Sequence, residues 1–328
     1  MIRKFVAAVG LFAVLALAGC GGQDDSKTLN FSILSAEDQL SMAKVWQPLL
    51  DDMQNQTGLK VKAFYASNYT SLIEAMRFNQ VQMGWFSALP TLEATRRADG
   101  EVIGRILQAK DAVPYASVLL VKKGSGITLG DVLKCGKRYN FGIGDARSTS
   151  GTLAPMAYIF IPHNIDPNAC FKVVRSSSHQ ANLFGVANGV VDIGTNNTVG
   201  LVFAKRDNPD IASKVQVIWT SPPLPESSIV VRKDMDPAVK AKIEHFFLTY
   251  GTAPGAEGDH ERAVLKALTY GGFGPVDPGY LDPVLRMDAS EALYDAKKTG
   301  DAQKIAAAQT AYDTALAQIA SHQAAAAK

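Results

Sequence analysis

The 328-residue sequence predicts an α/β protein of two lobes with a cleft between them. Three observations carry that prediction. Short apolar runs alternate with longer helical segments, the pattern of parallel strands wrapped by helices. The alternation restarts after a strand at 116–121, giving a second set of βα units over roughly 120–220. A later strand at 229–232 re-enters the first unit, so the chain crosses between lobes twice. With 47% hydrophobic residues the chain can fill two separate cores.

In chain order, the first lobe opens with an alternating strand at 28–34. A helix follows at 38–57, with Leu40, Val45, Leu49, Leu50 and Met53 at helical spacing and Gly58 as its stop. Then come a strand at 59–65, a helix at 69–79, a strand at 81–86 and a helix at 88–99. In the second lobe, helices at 129–133, 152–160 and 180–188 alternate with strands at 139–143, 171–174 and 191–195. Strands at 215–220 and 229–232 precede a helix at 237–250, which Asp234 or Asp236 starts. The Ala- and Gln-rich tail carries a loose stripe of Leu293, Ile305, Ala308, Tyr312, Leu316 and Ile319. It is either a docked helix or a homodimer contact. The expected organisation is 1–19 export signal, 20–27 tether, 28–118 first lobe, 119–221 second lobe, 222–288 return to the first lobe, and 289–328 helical tail.

The export signal shows in Arg3 and Lys4, the apolar run 5–16 and the small residues Leu17-Ala18-Gly19-Cys20. Its apolar part is about 12–15 residues, short of the roughly 20 that span a bilayer. Cys20 ends a stretch that resembles the bacterial lipobox, which implies a lipid-anchored N-terminus at a bacterial membrane; an ordinary secretory signal is the alternative. Removing residues 1–19 removes the whole +2 net charge, leaving basic residues equal to the 31 acidic ones. A neutral chain offers nucleic acid no basic field, so no nucleic-acid partner is expected. Cys135 and Cys170 remain as an even pair in an oxidising compartment, forming either a disulfide or two buried thiols.

Three polar stretches sit at strand ends, where open α/β sheets place ligands. Gly144-Asp145-Ala146-Arg147-Ser148-Thr149-Ser150-Gly151 follows a strand and opens a helix. Three consecutive hydroxyls at a helix N-terminus make a site for a tetrahedral oxyanion, where a plain cap needs one. Arg175-Ser176-Ser177-Ser178-His179 forms a second such junction, with His179 either an anion donor or a capping residue. Thr195-Asn196-Asn197-Thr198 is the third. No hydrolase elbow, zincin motif, Walker A sequence or paired-cysteine motif is present, and the five histidines lack metal-ligand spacing. No catalytic residue, metal or cofactor is expected. A phosphoryl-transfer enzyme would need a base, for which Asp145 is the lone neighbouring carboxylate.

These stretches together resemble the phosphonate/phosphite-binding periplasmic proteins of ABC transporters. Leu29-Asn30-Phe31-Ser32-Ile33, Asn68-Tyr69-Thr70, Met76-Arg77-Phe78-Asn79, Gly84-Trp85-Phe86 and Pro114-Tyr115 match the family pattern. So do the Ser-Thr-Ser-Gly loop, His179, Thr195-Asn196-Asn197, Trp219 with Ser221-Pro222, and Phe246-Phe247 with Tyr250-Gly251. The resemblance covers roughly residues 28–250. It implies a type II periplasmic-binding-protein-like fold that closes on its ligand and delivers it to an ABC permease with its ATPase. It also implies that Ser148, Thr149 and Ser150 hold the phosphonate oxygens, with Tyr69, Tyr115 and His179 completing the donor set and Arg147 making no direct contact.

The sequence departs from the family at one point. Members that take aminoalkylphosphonates present acidic side chains where this chain has Val199 and Ser227, although Glu226 stands one residue away. A buried ammonium without a counter-charge costs several kcal/mol. The expected ligand is therefore phosphite or a short alkylphosphonate such as methylphosphonate. An aminoalkylphosphonate, another oxyanion or a sensor role on the same fold remain the alternatives.

Overall fold

In the computed structural model, residues 28–34 and 36–327 are described; the predicted signal, Cys20 and the tether lie outside them. Eleven strands form two sheets among these residues. The first lobe holds β1 (Leu29–Ile33), β2 (Val61–Tyr65), β3 (Met83–Phe86), β4 (Gly100–Gln108), β10 (Ser228–Arg232) and β11 (Tyr270–Gly274). Their order is β11-β4-β10-β3-β1-β2. The second holds β5 (Ser117–Lys122), β6 (Asn140–Ile143), β7 (Val173–Ser176), β8 (Ile193–Asn197) and β9 (Val215–Thr220), ordered β7-β6-β8-β5-β9.

Both sheets are mixed, where the sequence reading expects mainly parallel ones. β5 and β10 are the two strands that arrive from the opposite lobe, and each runs antiparallel to both of its neighbours. A parallel neighbour requires a crossover helix within the same lobe. A strand entering across the cleft has none and runs the other way. β4 and β11 escape the sequence pattern for a different reason. β4 places Gly100, Glu101, Gly104 and Arg105 among its apolar residues, and β11 is Tyr-Gly-Gly-Phe-Gly. Pairing holds β11 in place: a Cβ on Gly271 would lie 2.4 Å from the Gln108 carbonyl, so glycine is required there.

Local chemistry sets the helix ends. The Asp38 carboxylate accepts from the N–H groups of Leu40 and Ser41 at 3.0 and 3.1 Å, starting the helix Gln39–Thr57. Gly58 closes it in the left-handed region at φ 70°. The face carrying Trp46, Leu49, Leu50 and Met53 packs with Phe31 and Phe247 in the first core. The second lobe builds its own core around Phe141, Phe160 and Phe171, with Phe141 stacked on Phe171 at 4.5 Å. Cys135 and Cys170 form a disulfide beside that core, with Cα atoms 4.5 Å apart.

A third apolar cluster joins the lobes where the chain crosses. Leu89 from the first lobe, Leu153 from the second, and Tyr115 and Leu224 from the two crossings meet Val284 and Met287. The latter two belong to the helix Asp282–Thr299, which starts seven residues before the predicted tail and stops at Gly300, φ 69°. A second helix, Ala302–Ala326, folds back along it through Ala315, Tyr312 and Ile319. The C-terminal hairpin thus packs over the hinge. Among the described residues no helix is long and apolar enough to cross a membrane.

Candidate functional site

The hydroxyl-rich loop leaves the end of β6 and turns sharply. Gly144 and Gly151 lie back to back: the Gly144 N–H donates to the Gly151 carbonyl at 2.9 Å, and a Cβ on Gly144 would come within 2.5 Å of the Gly151 Cα. Only glycine permits that approach. The following helical segment begins at Thr149, not at residue 152 as the sequence suggests, in widened turns over Thr149–Leu153 and Met156–Phe160. Ser148 is its cap, and its Oγ accepts from the Gly151 N–H at 2.9 Å. The hydroxyls are therefore the first turn itself, where N–H groups point out of the helix end.

His179 heads the helix His179–Ala187 and brings Nε2 to 3.2 Å from the Ser150 Oγ and 3.5 Å from the Ser148 Oγ. Burial pushes its pKa down to about 4, against a smaller opposing effect from the Thr195 backbone, so the ring is neutral at pH 7. Its Nδ1 is buried and makes no well-formed hydrogen bond. Asn197, at the end of β8, donates through Nδ2 to the Ser150 Oγ at 3.4 Å, while Asn196 Nδ2 donates to the His179 carbonyl at 2.8 Å. Tyr69 and Tyr115 are both buried, and burial raises both phenols well above their ordinary value. The Ser148 side chain opposes the rise at Tyr69, and the Ser150 side chain opposes it at Tyr115. Both phenols thus face the loop as neutral O–H donors.

Three loop residues are already engaged across the cleft. Leu89 N–H, in the first turn of the helix Ala88–Arg97, donates to the Thr149 Oγ1 at 2.9 Å, and that hydroxyl donates to the Ser87 Oγ at 3.3 Å. Ser87 makes no side-chain cap for this helix; Thr149 from the other lobe supplies the acceptor. Asp145 accepts from the backbone N–H of Arg147 at 2.8 Å and of Tyr69 at 3.3 Å, which commits it to holding the loop and the first lobe together. Arg147 turns away to pair with Glu93 of the first lobe at 2.9 Å.

Beyond the loop lies a cavity that offers about 60 Å³ to the centres of water-sized spheres. Tyr69, Tyr115, His179 and Asn197 line one end; Trp46, Trp85, Phe203 and Tyr270 form much of the wall. Val199 and Ser227 line it too, and beside them stand Glu226 and Glu37. Burial raises Glu226 to about 7, and burial with help from Asp38 and Asp207 raises Glu37 to about 8. No lysine or arginine lines this space among the described residues. Asp145 is thus not the lone carboxylate near the site. Glu37 escaped the sequence reading although it follows β1 directly, at the kind of strand end that drew attention to the second lobe. Among the described residues no cluster fit for a metal ion occurs.

A family model described as the ABC transporter, phosphonate, periplasmic substrate-binding protein matches residues 31–280. The chain belongs to that family. It is 37% identical over 292 residues to the phosphonates-binding periplasmic protein of Escherichia coli (strain K12), covering 88% of this chain and 85% of that one. The crystal structure of a binding-protein component of an ABC phosphonate transporter from Pseudomonas aeruginosa superposes with a TM-score of 0.85 at 34% identity. It covers 93% of this chain and 100% of that one. A binding protein from Prochlorococcus marinus (MIT 9301), solved in complex with methylphosphonate, shares the fold at TM-score 0.70 and 19% identity, over 80% of this chain and 97% of that one. The fold is thus that of the type II periplasmic binding proteins, and the family is one of periplasmic substrate-binding proteins, not enzymes.

Proposed function

We propose that this protein captures an aminoalkylphosphonate in the interlobe cleft and hands it to an ABC permease with its ATPase. Ser148, Ser150, His179, Tyr69 and Tyr115 hold the phosphonate oxygens, with the first-turn N–H groups of the helix at Thr149. Neutral donors and a helix N-terminus suit a dianion without a paired cation. Donors from both lobes couple binding to closure, since only the closed form satisfies every ligand oxygen.

The observation that carries the ligand class is the pair Glu226 and Glu37, two partly buried carboxyls in the same space as the donors, with no cation among the causes acting on either. An ammonium group supplies that missing charge. Val199 and Ser227 alone favour phosphite or methylphosphonate; the two glutamates outweigh them. Isothermal titration with 2-aminoethylphosphonate, methylphosphonate, phosphite, phosphate and sulfate tests the reading. Tight binding of the amine, with little heat from phosphate or sulfate, is expected; tightest binding of phosphite or methylphosphonate would return the ligand to the smaller class.

The chain reaches the membrane through a lipid on Cys20, which follows Leu17-Ala18-Gly19. Mass spectrometry of the native protein is expected to find a diacylglyceryl adduct at that residue. An unmodified N-terminus after cleavage elsewhere would leave a freely soluble periplasmic protein.

A further inference from the structure

A line of charged side chains runs from the hydroxyl loop into the first lobe. Arg147, next to Ser148 in that loop, pairs with the Glu93 Oε1 at 2.9 Å. Glu93 lies on the helix Ala88–Arg97, is 7% exposed, and gives its other oxygen to Arg97 of the same helix at 2.7 Å. Arg97 also pairs with Glu74 on the helix Tyr69–Arg77, whose first residue is the donor Tyr69. Neither Arg147 nor Glu93 lines the ligand space. The line joins the two lobes without holding the ligand itself.

Alternate residues of the loop divide the work. Asp145 takes the Tyr69 N–H at 3.3 Å, Arg147 takes Glu93, and Thr149 takes the Leu89 N–H at 2.9 Å. All three partners belong to the first lobe. Ser148 and Ser150, between and after them, turn to His179. When the lobes part, Glu93 keeps Arg97 but loses the partner of its other oxygen, and Arg147, nearly half exposed already, returns to water. Arg147 has a second acidic neighbour in Glu291 of the helix Asp282–Thr299. Burial, Asp295 and Asp288 raise that carboxyl to about 7, and Arg147 opposes them.

We propose that Arg147 is a positioning residue that latches the lobes: its pairing with Glu93 holds the Ser148–Ser150 turn against the first lobe, favours the closed form, and prolongs the stay of any phosphonate without touching it. The proposal rests on capture in the interlobe cleft, whichever phosphonate is the ligand. A group that stabilises only the closed form raises the affinity of every ligand that needs closure, by the same factor.

Calorimetric and stopped-flow titration with methylphosphonate and 2-aminoethylphosphonate tests this on the unaltered protein, Arg147→Gln, Arg147→Lys, Glu93→Gln and the Arg147→Gln/Glu93→Gln double variant. Arg147→Gln is expected to weaken both ligands alike, by roughly three- to tenfold, mainly through faster dissociation. Arg147→Lys should recover most of that loss, and the double variant should bind as Glu93→Gln does alone. The double variant separates Glu93 from Glu291 as the partner that matters. Should Glu93→Gln not fold, the contrast between Arg147→Gln and Arg147→Lys still decides. Unchanged affinity in Arg147→Gln, a loss confined to one ligand, or losses that add in the double variant would each overturn the latch. If the unaltered protein binds neither phosphonate, the functional reading fails and the latch with it; binding indifferent to Arg147 removes the latch alone.

Discussion

The two ends of the cleft are built on opposite principles. At the hydroxyl loop the side chains offered to the ligand stay neutral: His179 is held uncharged by burial, the phenols of Tyr69 and Tyr115 stay protonated, and Asp145 and Arg147 are committed to the Tyr69 N–H and to Glu93. At the far end two partly buried carboxyls have no cation among the groups that shift them, and their pKa values rise toward neutrality. Neutral donors fit a dianion by geometry, discriminating through the number and direction of hydrogen bonds. A buried carboxyl awaiting a positive charge discriminates by charge itself. The first end accordingly selects the phosphonate, and the second selects what is attached to it.

Removing the charge at the far end is the strongest way to break this contrast. Truncating one partner of a buried charge pair costs about 2–5 kcal/mol. Glu226→Gln is therefore expected to weaken 2-aminoethylphosphonate by roughly 30- to 1,000-fold or more, with methylphosphonate shifted only a few-fold. Equal losses for both ligands would show that Glu226 serves the pocket's shape and not the amine.

The hydroxyl end predicts the reverse pattern. A hydrogen bond to a charged group contributes about 1.5–3 kcal/mol, so Ser150→Ala should weaken both ligands alike, by roughly 10- to 100-fold. Thr149→Val sharpens the distinction within the loop. Its hydroxyl accepts from the buried Leu89 N–H, and orphaning that donor costs about 1–3 kcal/mol of stability. A lower melting temperature is expected, with a smaller loss of affinity than Ser150→Ala gives. A larger affinity loss at Thr149 with unchanged melting would make it a direct ligand donor.

A smaller effect concerns pH. Glu226 and Glu37 must lose their protons to hold an ammonium, and their raised pKa values of about 7 and 8 keep them partly protonated near neutrality. Binding the amine pulls both values down and releases protons. Affinity for 2-aminoethylphosphonate should rise relative to methylphosphonate between pH 6 and 8.5, and its binding heat should vary with the ionisation enthalpy of the buffer. A constant ratio of affinities over that range would contradict the charge role of the glutamates.

The same contrast explains what was legible in the sequence. The hydroxyl loop is contiguous: Gly144 to Gly151 announces a turn and a helix start, and His179 and Asn197 stand at recognisable strand ends. The far end is assembled from Glu37 after β1, Gly200 in a second-lobe helix and Glu226 in the second crossing. No spacing rule links residues that distant. The fold shows the same limit. The helix Gln39–Thr57 declared itself by its apolar spacing and its Gly58 stop. The glycine-rich β11 exists because β4 offers it partners. Thr149 is the subtlest case, since the helix it serves belongs to the other lobe.

The most direct test of the two-ended cleft is isothermal titration of the purified protein and its Glu226→Gln variant with 2-aminoethylphosphonate and methylphosphonate at pH 7.5. At least a tenfold preference of the unaltered protein for the amine is predicted, abolished by the substitution. Equal or tighter binding of methylphosphonate to the unaltered protein would contradict the account.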